Sequence, residues 1–95
     1  MILPLTNRPS ESFTFKVNEN IYKFKSKWNT QGFWTLDIFD IDGNVLVYAV
    51  KIVANENLLN AFTNIPFDLI SEKEYDPARH DLDKFDLQII ERIDV

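Results

Sequence analysis

The sequence predicts a mainly β fold, a small antiparallel meander forming a barrel-like or sandwich domain of about six to seven strands. Apolar and polar side chains alternate with a period of two through residues 13–53, the spacing of strands with one buried face. Turn-forming residues interrupt that alternation at Asn18-Glu19-Asn20, at residues 29–32 and at Asp42-Gly43. The runs between them are filled by aromatic and β-branched residues. The whole 95-residue chain is 45% hydrophobic and 14% aromatic, which supplies a core and excludes a disordered segment.

The first strand sets Phe13, Phe15 and Val17 on one face and Thr14 and Lys16 on the other. The second sets Tyr22, Phe24, Ser26 and Trp28 against Lys23, Lys25 and Lys27. Trp34, Leu36 and Ile38 resume the apolar face, with Thr35, Asp37 and Phe39 opposite, and residues 45–53 form the fourth strand. A tight turn at Glu19-Asn20 pairs Phe15 with Phe24, and a loop over residues 29–33 pairs Trp28 with Trp34 and Phe24 with Ile38. A two-residue type I′ loop at Asp42-Gly43 pairs Ile38 with Val47 and Leu36 with Ala49. Together these choices gather Phe15, Phe24, Trp28, Trp34, Leu36, Ile38 and Val47 into one core, which a one-residue slip would scatter. They also set Lys25 beside Asp37.

The second face is less polar than water allows, because Phe39, Leu46, Tyr48, Val50 and Ile52 project from it. Either the C-terminal segments or another protein must cover it, and the plainer expectation is cover by the C-terminal segments, because the chain supplies them. Residues 56–62 predict a short helical turn, and residues 67–70 and 85–93 predict further strands. Residues 72–83 form a charged loop in which Pro77 biases Asp76 away from helix. No repeat or linker divides the chain, so residues 1–95 read as one domain.

Composition narrows the chemistry. Fifteen acidic residues against ten basic ones give a net charge of −5, unsuited to gripping phosphate backbones. The lysine stripe Lys23, Lys25, Lys27 faces away from the aromatic residues it alternates with. It reads as a solvated, aggregation-resistant strand face or as a docking surface for an acidic partner. The chain has no cysteine and one histidine, His80, in a polar loop, so thiolate and two-histidine metal sites are excluded. Its two glycines, Gly32 and Gly43, frame neither a nucleophile elbow nor a phosphate loop. Asp40-Ile41-Asp42-Gly43-Asn44 looks like the start of a calcium loop. The twelfth position from Asp40 is Lys51, however, a cation where a carboxylate ligand belongs, and a hairpin turn accounts for the same residues. The carboxylates Asp81, Asp83 and Asp86 read as a solvated edge. No residue is assigned to catalysis, cofactor or metal binding. The N-terminal Met1-Ile2-Leu3-Pro4-Leu5 lacks a cationic start, and no apolar run reaches the ~18–20 residues of a membrane span.

The residues nevertheless form a pattern. Leu3-Pro4-Leu5 leads to Pro9 and Phe13, then Tyr22-Lys23-Phe24, Trp28-Asn29, Trp34-Thr35-Leu36-Asp37, Asp40 with Gly43, and Leu46. Leu58-Leu59, Asp76-Pro77 and Asp81-Leu82 follow. In this the chain resembles the phage baseplate plug family, small β proteins of the hub of contractile phage and prophage tails. Asn55, Asn57 and Lys84-Phe85 depart from the family's glycine-containing turns. The resemblance implies a non-enzymatic virion structural protein, assembled in the host cytoplasm into the tail baseplate and helping to close its central hub or tube. It implies other baseplate or hub subunits as partners, leaves self-association open, and carries over no substrate or cofactor.

With that resemblance, the predicted contact surface is the stripe Phe39, Leu46, Tyr48, Val50 and Ile52, with Tyr48 as its anchor. The alternative is a small carbohydrate- or peptide-binding β module with Trp28 and Trp34 as a stacking platform. A hydrolase built on two carboxylates ranks below both.

Overall fold

The alternation does generate the meander. In a computed structural model describing residues 1–92, β1 (Ser10–Val17), β2 (Asn20–Asn29), β3 (Phe33–Phe39) and β4 (Val45–Lys51) form one antiparallel sheet in that order. A second sheet pairs β5 (Phe67–Ile70) with β6 (Gln88–Glu91), and a 3₁₀ turn at Leu82–Lys84 precedes β6. The six strands are arranged as two packed sheets rather than a closed barrel.

Between β2 and β3 the pairing is the expected one, with Trp28 opposite Trp34, Phe24 opposite Ile38 and Lys25 opposite Asp37. The β1–β2 turn lies one residue earlier than expected, at Asn18-Glu19, because Asn18 takes the left-handed conformation (φ 57°) that asparagine tolerates. Phe13 therefore stacks on Phe24 at 5.5 Å and Phe15 pairs with Tyr22. The slip is an even one, so the apolar side chains keep their face.

The β3–β4 hairpin departs further. Its loop is Ile41-Asp42-Gly43, closed by the Gly43 amide to Asp40 O (3.1 Å) and the Asp40 amide to Asn44 O (3.0 Å). Only Gly43 has positive φ (86°), so this is a type I turn completed by a left-handed glycine, not the predicted type I′ loop. Two bulges follow. Phe39 pairs with Val45, Ile38 with Val47 and Leu36 with Val50, which leaves Leu46 and then the 48–49 step without a partner. The first bulge offsets the longer loop and restores Ile38 opposite Val47. The second carries Leu36 past Ala49, and from there β4 reverses which side chains face inward.

The inner face is closed by the C-terminal layer. Phe67 of β5 meets Tyr22 edge-on at 5.1 Å and Phe24 at 6.2 Å. One core runs through both sheets, including Phe24, Trp34, Leu36, Ile38, Val47, Leu59, Phe67, Leu69 and Leu87. Full burial of each such side chain contributes about 1.5–3 kcal/mol. Phe15 and Trp28 belong to the half-buried rim of this core. The expectation that the C-terminal segments cover the second face is corrected: they pack on the inner face, where the larger apolar surface lies. The N-terminus joins the same layer, with the Leu3 amide on Leu87 O (2.9 Å) and the Ile89 amide on Met1 O (2.8 Å).

The short helical turn expected at 56–62 is a pair of isolated turns, closed by Asn60 N to Asn57 O (3.2 Å) and Phe62 N to Leu59 O (2.9 Å). Helix cannot propagate there because side chains take its backbone groups. Asp68 accepts the Leu59 amide (2.9 Å), while Arg92 donates to Leu59 O (2.6 Å) and Phe62 O (2.6 Å). The last strand is shorter than the predicted 85–93, spanning Gln88–Glu91, and Ile93 lies outside the described residues.

Candidate contact surface

The bulge at Ala49 splits the predicted stripe. Phe39 stays on the outer face of the β1–β4 sheet, half-buried between Lys23 and Val45. Tyr48 projects from it 69% exposed. Leu46, at the first bulge, is half-buried against the core. Val50 pairs with core residue Leu36 and packs inward, and Ile52 is 1% exposed in the core itself. Ile52 therefore cannot meet a partner, and Val50 faces the wrong side of the sheet to do so.

What replaces the stripe is a mixed surface that the sequence reading held only in part. Cross-strand rows on the outer face run Ser10–Lys27–Thr35–Lys51, Ser12–Lys25–Asp37, Thr14–Lys23–Phe39–Val45 and Lys16–Ile21. The reversal after Ala49 brings Lys51 to this face, which the expected register had turned inward. Aromatic rings lie among the cations: Lys27 Nζ is 5.2 Å from the Tyr48 ring centre and Lys51 Nζ is 5.0 Å from that of Phe33. Beneath them Asp37 is buried. Its carboxylate takes Lys27 at 3.2 Å and the Ala49 amide at 2.7 Å.

The other candidate groups are occupied structurally. Trp34 is fully buried, meets Trp28 edge-on at 5.3 Å and donates its indole N–H to Ala78 O at 2.9 Å, so the two rings form no open platform. Asp40 accepts the amides of Asp42 (3.0 Å) and Asn44 (2.8 Å) and the Asn44 side-chain N–H (2.9 Å). The Asn44 side chain and amide hold its carboxyl below the ordinary value, as a built turn requires. His80 is exposed. A shallow cleft of about 320 Å³ opens between Tyr75, Pro77 and Phe85, lined also by Glu74, Asp76 and Asp81 and by Lys73 and Lys84. Asp76 is tied to the Ala54 amide at 2.8 Å. Among the described residues no three His, Asp or Glu side chains are grouped to hold a metal ion.

The family resemblance falls on residues that hold the backbone out of regular strand. Asn29 accepts the Gln31 amide at 2.8 Å, Asp37 serves the bulge, Asp40 serves the hairpin, and Gly43 supplies its left-handed residue. A family model described as cyanophage baseplate Pam3 plug gp18 matches residues 1–91, which takes in all six strands. Comparison with curated proteins finds no match.

Proposed function

Because the chain belongs to the phage baseplate plug family, a structural component of the tail baseplate, we propose that it is non-enzymatic and works by contact with neighbouring baseplate subunits. The contact surface is the outer face of the β1–β4 sheet, and the contact helps to close the central hub or tube. Assembly takes place in the host cytoplasm. The observation that supports this reading is that nothing in the described chain covers that face, although Tyr48 (69% exposed) and Val45 (57%) stand on it beside Phe39. An aromatic ring with a polar tip, set among cations, suits the centre of an interface better than a solvated strand.

Tyr48→Glu tests the reading. Tyr48 makes no core contact, so the variant is expected to keep the wild-type melting temperature and to be missing from purified tails. Incorporation at the wild-type level would remove this face from the contact. Leu46 is a poor probe, since a charge there would disturb the core it packs against.

A further inference from the structure

The charge of this chain is divided between its two layers. The outer face of the β1–β4 sheet carries Lys16, Lys23, Lys25, Lys27 and Lys51. Among the described residues Asp37 is the one carboxylate in the cross-strand rows of this face, and it is buried and already paired with Lys27 at 3.2 Å. No ion pair engages the other four lysines among the described residues. Five cations and one anion make this face +4, so the rest of a chain of net charge −5 carries −9.

A third of that negative charge, −3, sits on residues 72–86, in the layer on the opposite side of the sheet. Six carboxylates there outnumber Lys73, Arg79 and Lys84, and Lys73 is already paired with Asp86 at 3.0 Å. Glu72, Glu74, Asp76, Asp81 and Asp83 are exposed there. The segment is seated on the inner side through Trp34, whose indole N–H donates to Ala78 O (2.9 Å) and whose ring lies 5.6 Å from the Arg79 guanidinium carbon. It is also held in shape. Asp76 accepts the Ala54 amide (2.8 Å), Asn55 donates to Lys73 O (2.9 Å), and Asn7 bridges His80 O (3.0 Å) and the Asp83 amide (3.1 Å). Charges fixed this way lose little freedom when a partner arrives.

We propose that the chain associates head to tail with itself, the lysine face of one copy seating the acidic 72–86 segment of the next. This deepens the contact-surface reading of the outer face and rests on it. Like faces repel, so a symmetric dimer through either layer is disfavoured, whereas opposite faces attract in a heterologous contact. Both sides also bring an apolar element. Tyr48 stands on the lysine face, and Tyr75, 80% exposed, stands beside Pro77 and Phe85 at the cleft of the acidic layer. Among the described residues the cross-strand rows of this face hold lysines and no arginine, and Phe39, Val45 and Tyr48 lie among them; this composition fits a protein surface better than a phosphate backbone read by guanidinium forks.

The test is sedimentation velocity of the full chain over a concentration series, at about 50 and about 500 mM salt, where the Debye length falls several-fold. The expected result is concentration-dependent association at low salt, weakened ~tenfold or more at high salt. Lys23→Glu/Lys25→Glu and Glu74→Lys/Asp81→Lys should each be monomeric while keeping the wild-type circular dichroism spectrum. Mixed together, they should associate again. A wild type that stays monomeric up to ~1 mM at low salt overturns the proposal. So does association that both double variants retain. Titration with a labelled single-stranded DNA 20-mer is the remaining arm: tight, lysine-dependent binding by a monomeric wild type would assign the face to nucleic acid and overturn self-association. A monomeric wild type overturns it even where Tyr48→Glu is missing from tails, an outcome that leaves the outer face to a different subunit.

Discussion

The Asp37 carboxylate accepts the Ala49 amide at 2.7 Å, twelve residues away in sequence and across the hairpin. Ala49 is the residue that β4 places at its second bulge, with φ 55°. A bulge strands a backbone N–H outside the ladder, and a buried carboxylate is a strong partner for it. Asp37 therefore fixes where β4 changes face. Asp37→Ala should cost about 2 kcal/mol in urea unfolding, the usual penalty for a buried amide left without its acceptor. Asp37→Asn keeps an acceptor oxygen and should cost less than half as much. Equal losses would shift the weight from the Ala49 amide to Lys27.

Ala49→Gly should stabilise the protein. The left-handed conformation costs an alanine about 1–2 kcal/mol, against roughly 0.5–1 kcal/mol of extra chain entropy lost by glycine. A rise in unfolding free energy of up to ~1 kcal/mol is expected, and a loss would contradict the backbone geometry assigned to the bulge.

Ser26 is 0% exposed on the inner face, and its hydroxyl has no hydrogen-bond partner among the described residues. Such a group is buried at a cost and returns nothing. Ser26→Ala should leave the urea midpoint unchanged or raise the stability by about 1 kcal/mol, the reverse of an ordinary core truncation. A drop of more than ~1 kcal/mol would reveal a partner for the hydroxyl.

Acid should loosen the β3–β4 hairpin. The Asp40 carboxyl lies below its ordinary value of 3.8, first because of the Asn44 side chain. A depressed folded value means that the contribution is complete above 3.8 and is lost as pH falls through the folded value. Asn44→Ala removes the leading cause, so the stability gap between wild type and variant should close as pH is lowered below ~4 in chemical unfolding. A gap that held constant down to pH ~2 would dissociate the turn from Asp40 ionisation. The same oxygens already serve the turn, so millimolar calcium should leave the melting temperature unchanged.

The two tryptophans should respond differently. Trp34 is 0% exposed and hydrogen-bonded to Ala78, so Trp34→Ala should cost more than ~3 kcal/mol. Trp28, on the half-buried rim, should cost less, and the emission left in Trp28→Phe should be the bluer of the two single-tryptophan spectra.

Strand identity and the β2–β3 register were legible in the chain because both are local. Period-two alternation names the inner face, and a turn of known length aligns neighbours, as Trp28 with Trp34 shows. The family, too, was readable, since its recognisable residues Asn29, Asp37, Asp40 and Gly43 are those that shape turns and the bulge. Tyr48 kept its predicted face because it precedes the bulge residue; Lys51 and Ile52 exchanged faces because they follow it. That exchange depends on a carboxylate reaching Ala49 from another strand, and no periodicity within β4 encodes it. The covering of the inner face is likewise tertiary: Phe67 chose Tyr22 and Phe24 over the outer face because the larger continuous apolar area was there. Alternation is a property of neighbours in the chain. Which face is covered, and where a strand changes sides, depends on contacts between residues far apart in it.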